Sequence, residues 1–167
     1  DGNIQNLQTI SGNGGRLIDP PRLVFDDVGN LALVYARYEE GSFRVYLHYK
    51  PFDQEWREPV LVSDPFFNAI QPCAAIHPDG KIYVAWQKDW GGIYQIELVE
   101  FHPDAMQIEN IIPITYEDND ARTPAIAVDK RSGQLHLAWV EYLEDGSRNI
   151  VYTKEQPTVV KQWVDYK

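Results

Sequence analysis

An all-β fold assembled from repeated four-stranded units is what this sequence predicts, and three observations carry the reading. One phrase is written three times. Pro21, Pro72 and Pro124 each open a short apolar run, Gly29, Gly80 and Gly133 each follow a polar turn, and Tyr35, Trp86 and Trp139 each stand six residues beyond that glycine. A period of about fifty residues marks a repeat architecture. The register also holds beyond the turn glycines Gly41, Gly92 and Gly146, with Val45, Ile96 and Ile150 four positions on and Leu47, Leu98 and Tyr152 six positions on. Residues spaced i, i+2 share one face of a strand. Finally, aromatic residues make up 13% of the chain, mostly Tyr and Trp, beside a single Met, and helical periodicity is absent. Four strands per repeat at this period fit β-propeller blades better than a helical solenoid. About three blades are legible, so the chain is expected to be part of a larger or oligomeric propeller.

Taken in order, residues 4–11 (IQNLQTIS) read as an extra N-terminal strand before a glycine-rich turn. Blade one spans 21–63, with strands at 22–25, 31–37, 43–50 and 59–63. Its breaks DDVGN, YEEGS and PFDQEW each carry Gly, Pro, Asp or Asn. Blade two spans 72–115, with strands at 72–76, up to 87, up to 101, and near 110–115; HPDGK and KDWGG are its turns. Blade three spans 124–167 and ends in VVKQWVDYK, where Trp163 begins a fourth strand. Because LQTIS aligns with PVLVS at the end of blade one, the N-terminal strand reads as the outer strand of a preceding blade. Ala74, Ala75, Ala125 and Ala127 suit innermost strands crowded near an axis, and Trp86 and Trp139 alternate with core positions.

At 167 residues and 44% hydrophobic, the chain can build a core. A formal net charge of -10 argues against nucleic acid and anionic membrane surfaces, whose affinity comes from clustered Lys and Arg. The apolar runs fall short of the roughly 20 residues that span a bilayer, so no membrane insertion is expected. A single cysteine, Cys73, rules out an internal disulfide and a multi-cysteine zinc site, and reads as a small buried filler.

The stretch PAIAVDKRSGQLHLAW, followed after a turn by NIVY, resembles the sialidase-like, BNR-repeat propellers of exported proteins. The resemblance covers the three blades and implies an extracellular or periplasmic protein. In that family an Asp box joins the third and fourth strands; here KPFDQEW keeps Asp53 and Trp56 and lacks the glycine. No F/Y-R-I-P segment occurs, so no catalytic residue carries over. In blades of this kind two sets of loops gather on one rim: those from the fourth strand to the next blade's first strand, and those from second to third strand. Function is expected on that rim.

Those loops hold Phe66, Phe67 and Trp90 as aromatic platforms, Arg122 as a cation, and Asp89, Asp118 and Asp120 as acids. An aromatic face packs on the C–H face of a sugar while carboxylates and amides bond its hydroxyls. Against this, Phe66 and Phe67 can equally seal one blade against the next. Paired carboxylates suggest a glycosidase, whose two acids must stand at a defined separation. The run Glu117 to Asp120 offers oxygens to calcium without the acid spacing or turn glycine of an EF-hand. His48, His77, His102 and His136 show no metal-ligand spacing, and no nucleophile elbow or phosphate loop is present. No cofactor, metal or catalytic residue is therefore expected. The functional expectation is a non-catalytic recognition or scaffold module that binds glycan or protein through its rim. A partial glycoside hydrolase and a structural subunit joining through blade edges are the alternatives. Its expected partner is a second copy or the remainder of a parent propeller.

Overall fold

The structure, a computed structural model, describes residues 7–11, 15–116 and 120–155. It has twelve strands in three antiparallel sheets and, among the described residues, no helix. Blade one is β1 (Arg22–Phe25), β2 (Leu31–Glu39), β3 (Ser42–Lys50) and β4 (Val60–Leu61), hydrogen-bonded in that order. Blade two is β5 (Ala69–Ile76), β6 (Ile82–Trp90) and β7 (Ile93–His102), with two short outer pieces, β8 (Gln107–Ile108) and β9 (Ile112–Pro113), both paired to β7. Blade three is β10 (Asp120–Val128), β11 (Leu135–Tyr142) and β12 (Arg148–Glu155).

The hairpins explain why the central strands outrun their expected ends. Between β6 and β7 the turn is Gly91–Gly92 alone, with φ of 68° and 98°. Two consecutive positive φ values make the tight turn whose twist matches that of the flanking strands. Lys88, Asp89 and Trp90, expected in a turn, therefore belong to β6 and pair with Gln95, Tyr94 and Ile93. Residues 7–11, expected as a strand, join no ladder in the structure. Arg37 Nη1 instead donates to the Ser11 carbonyl at 3.0 Å. Trp163 and the fourth strand expected for blade three lie outside the described residues.

Alternation along β6 builds both cores. Ile82, Val84 and Trp86 point into a cluster with Val34, Val45 and Leu47 of blade one. Tyr83 and Ala85 point the other way, into a cluster with Leu135, Leu137 and Trp139 of blade three. A period-2 strand that is apolar on both faces is what a blade sandwiched between two others requires. The inner strands β1, β5 and β10 lie side by side, and Ala74 and Ala75 are buried there, as their small size suggested, whereas Ala125 and Ala127, expected to be crowded likewise, are exposed on β10. A second repeated device ends the outer strands: Ser63 Oγ accepts from Val45 N–H at 3.0 Å, and Thr115 Oγ1 accepts from Ile96 N–H at 2.9 Å.

Candidate functional site

The prolines that open each repeat break the inner strands. Lacking an N–H, a proline cannot continue the ladder, and pairing of β5 with β6 shifts between Ile70 and Cys73 while that of β10 with β11 shifts between Arg122 and Ala125. In blade one an isolated bridge, Leu17 to Arg37, precedes the same break before Arg22. The residue before the proline bulges. Gln71 and Thr123 have φ of 52° and 53°, a left-handed conformation that is uncommon for Gln and an outlier for β-branched Thr. Such backbone stores roughly 1–3 kcal/mol per residue and clusters at ligand sites.

Each bulged N–H is held by a side chain of the neighbouring blade. Gln71 N–H donates to Asp19 Oδ2 at 2.7 Å, and Thr123 N–H donates to Gln87 Oε1 at 2.9 Å. The bulges thereby bring Asp19, Gln71 and Thr123 around one cavity of about 340 Å³, with Arg22 and Pro72 also in its wall. Gln71 Oε1 is buried with no hydrogen-bond partner among the described residues. A buried acceptor of this kind normally finds a donor. Thr123 Oγ1 donates to the Arg122 carbonyl at 2.8 Å.

None of these four polar residues was among the expected site residues. The signal was available: a polar residue stands just before the proline or prolines that open each repeat, as Asp19 before Pro20 and Pro21, Gln71 before Pro72 and Thr123 before Pro124. What the one-dimensional text lacks is that inner strands of successive blades converge.

The expected residues fall into two groups. On blade two, Phe67 and Trp90 stack with ring centroids 4.9 Å apart. Lys88 Nζ lies over both, at 4.2 and 5.0 Å, and is itself tied at 2.8 Å to Glu97, a carboxylate only 6% exposed. Trp86 Nε1 donates to the other oxygen of Glu97 at 3.1 Å. Phe66 stands 86% exposed beside them and seals nothing. Asp89 Oδ1 accepts from Gly92 N–H at 2.8 Å and so closes the hairpin.

Asp120 and Arg122 form the second group, and they belong to β10 rather than to a free loop. Arg122 clamps Asp120 through Nε and Nη2, the shortest contact being 2.7 Å. Its guanidinium lies between the rings of Tyr94 and Tyr142, at 4.6 and 4.7 Å. Asp120 Oδ1 also accepts from Tyr94 N–H at 3.1 Å. Burial would raise the Asp120 carboxyl, but Arg122 and that N–H outweigh it and hold it below its ordinary value. Asp118 lies outside the described residues. Among those described, no group of three or more His, Cys, Asp or Glu side chains could hold a metal ion.

The fold defines the class: three consecutive blades of a β-propeller. No protein-family model matches this chain, and no curated protein matches it in sequence. Solved structures do resemble it. One is an endo-arabinase from Bacteroides thetaiotaomicron VPI-5482, at TM-score 0.57 and 18% identity over 89% of this chain and 59% of that one. Another is a thermostable family-43 glycoside hydrolase, at TM-score 0.54 and 15% identity over 87% of this chain and 56% of that one. Both are five-bladed propellers. At such identity the likeness establishes the fold alone. This chain spans less than two thirds of either neighbour's length. The sialidase-like resemblance is supported only as far as the propeller fold, since neither of these neighbours is described as a sialidase.

Proposed function

We propose that this chain provides the binding face of a propeller that takes up carbohydrate, with the ligand seated where the inner strands converge. The carrying observation is the convergence of four polar side chains, Asp19, Arg22, Gln71 and Thr123, around one cavity. Carboxylate, guanidinium, amide and hydroxyl groups in one wall suit a ligand rich in O–H groups, which both donate and accept. A cavity of about 340 Å³ lies at the small end of ligand pockets, which run roughly 300–1,000 Å³. That the structural neighbours are described as an endo-arabinase and a glycoside hydrolase favours a sugar over a protein ligand.

Binding without cleavage is the reading for these residues by themselves. Glycosidic cleavage commonly uses two carboxylates flanking one bond, and the described cavity wall carries one, Asp19. The second reading, favoured by the neighbours' descriptions, is that the cavity is half of a hydrolytic site whose second acid comes from elsewhere in the propeller. An exported location accompanies either reading.

Calorimetric titration against soluble arabinan, xylan, glucan and galactan, and against sialylated and chitin oligosaccharides, tests the proposal. At least one neutral sugar should bind, and Gln71→Ala should weaken it about tenfold, as loss of a buried hydrogen bond does. Binding of sugar unaffected by both Gln71→Ala and Asp19→Asn would move the site away from the axis. Release of reducing ends by the wild-type chain, lost in Asp19→Asn, would favour the hydrolytic reading.

A further inference from the structure

The axial cavity is small, yet the same end of blade two carries an aromatic surface that packing does not explain. β5 begins where β6 ends: Ala69 pairs with Lys88, Ile70 with Gln87, and Asp89 N–H donates to the Asn68 carbonyl at 2.8 Å. Gln71 therefore leads inward to the cavity from the edge at which Trp90 leads outward.

Trp90 keeps 46% of its surface in solvent although it stacks on Phe67. The pair is held in place from below, because Lys88 reaches both rings while its ammonium is fixed by buried Glu97. A surface aromatic pair with no role beyond hairpin closure has no need of a buried ion pair, whose desolvation is costly. Here the buried ion pair orients an exposed surface, and Phe66, next to Phe67 in the chain, is itself exposed to solvent.

We propose that Phe66, Phe67 and Trp90 form an outer contact for a neutral carbohydrate chain that extends from the axial cavity, so that the ligand is an oligosaccharide rather than a single sugar. This rests on the carbohydrate reading above. Charge selects the neutral class: the chain carries a net charge of -10, and Asp64 and Asp89 flank the aromatic pair, each bound to a backbone N–H of its own turn. Anionic sugars meet repulsion there, whereas the C–H face of a neutral ring packs on Trp90 and its hydroxyls reach the carboxylate edges.

The test is affinity against ligand length, using the disaccharide, tetrasaccharide and hexasaccharide of whichever neutral series the wild type binds, with a uronic-acid series of matched length beside it. Affinity should rise with length for the neutral series only. In Trp90→Ala and in Phe66→Ala that rise should shrink by about three- to tenfold. Phe66 is so exposed that its replacement leaves the fold intact, which keeps the test interpretable should Trp90→Ala fail to fold. A neutral series with no gain on lengthening, a gain that survives both substitutions, or equal binding of the acidic series overturns the outer contact while leaving the axial site standing. If the wild type binds no sugar of any length, both proposals fall together.

Discussion

Trp86 and Trp139 occupy one repeat position and are both buried, yet among the described residues only Trp86 has a partner for its indole N–H. The cross-strand residue decides this: Trp86 pairs with Glu97, Trp139 with Val151. Trp139→Ala should destabilise by about 3–5 kcal/mol through cavity formation, read by urea titration. Trp86→Phe should cost about 1.5–3 kcal/mol more than Trp139→Phe, because only the former abandons a hydrogen bond to a charged group. Equal losses in the two Phe variants would show that Glu97 does not depend on the indole. His48 offers a second residue-scale test. It is buried, its Nε2 lies 3.0 Å from Tyr35 Oη, and burial lowers its pKa despite an opposing hydrogen bond that the ring donates to the Arg57 backbone. With the folded pKa below the unfolded value near 6.5, the unfolded chain binds more protons as pH falls through that value. Stability is then fully present above about pH 6.5 and declines below it, by at most about 1.4 kcal/mol per pH unit. In His48→Gln the decline just below pH 6.5 should flatten; an unchanged slope assigns it to other groups. Cys73, whose thiol burial pushes up to about 12, should resist thiol reagents at pH 8 until the chain is unfolded.

The elements are joined by side chains that substitute for sheet hydrogen bonds between blades. Asn68 Oδ1 accepts from Phe43 N–H of blade one at 2.9 Å, and Asp120 Oδ1 does the same for Tyr94 N–H of blade two. Asn68 and Asp120 are equivalent positions in successive repeats, which explains why an acid that reads as a ligand contact serves the packing of blades. Asp120→Ala leaves both Tyr94 N–H and the Arg122 guanidinium without their acceptor, and should destabilise by about 1–3 kcal/mol. Asp120→Asn keeps the backbone contact and should recover most of the loss. If sugar affinity and not stability fell in Asp120→Asn, the carboxylate would belong to the binding site after all.

At the scale of the molecule, the two outer blade faces differ. The face of blade one turned away from blade two is partly covered by residues 8–11, Arg37 and Trp56, which with His48 line a cavity of about 490 Å³. The far face of blade three is open: Ile150 and Tyr152 are 83% and 57% exposed, and Ala125, Ala127 and Val140 share that face through their pairings. The faces between adjacent blades are buried in the two core clusters. We expect this one to be covered too, by a second copy or by further blades of a parent propeller, because exposed apolar sheet faces and edges invite association. Size exclusion with light scattering should give a mass above 19.3 kDa for the isolated chain, and Ile150→Lys should lower it. A cooperatively folded monomer at micromolar concentration would refute the expectation.

Repeat period, the long central strands and the buried tryptophans were legible in the sequence, because each is written in local spacing: period-2 alternation, turn glycines, and an aromatic six residues after a turn. Even the exposed aromatic Trp90 could be singled out, though Gly91 and Gly92 suffice for the turn and place it on a strand. What only the tertiary structure decided is which polar residues meet. Asp19, Gln71 and Thr123 are about fifty residues apart, and they share one cavity because β5 and β10 bulge before their prolines and blade packing sets the inner strands side by side. Asp120 and Arg122 stood out as free charges until β10 placed one against a neighbouring backbone N–H and the other between two tyrosines. Strand identity follows from near neighbours in the chain, whereas a side chain's partner follows from the packing of blades.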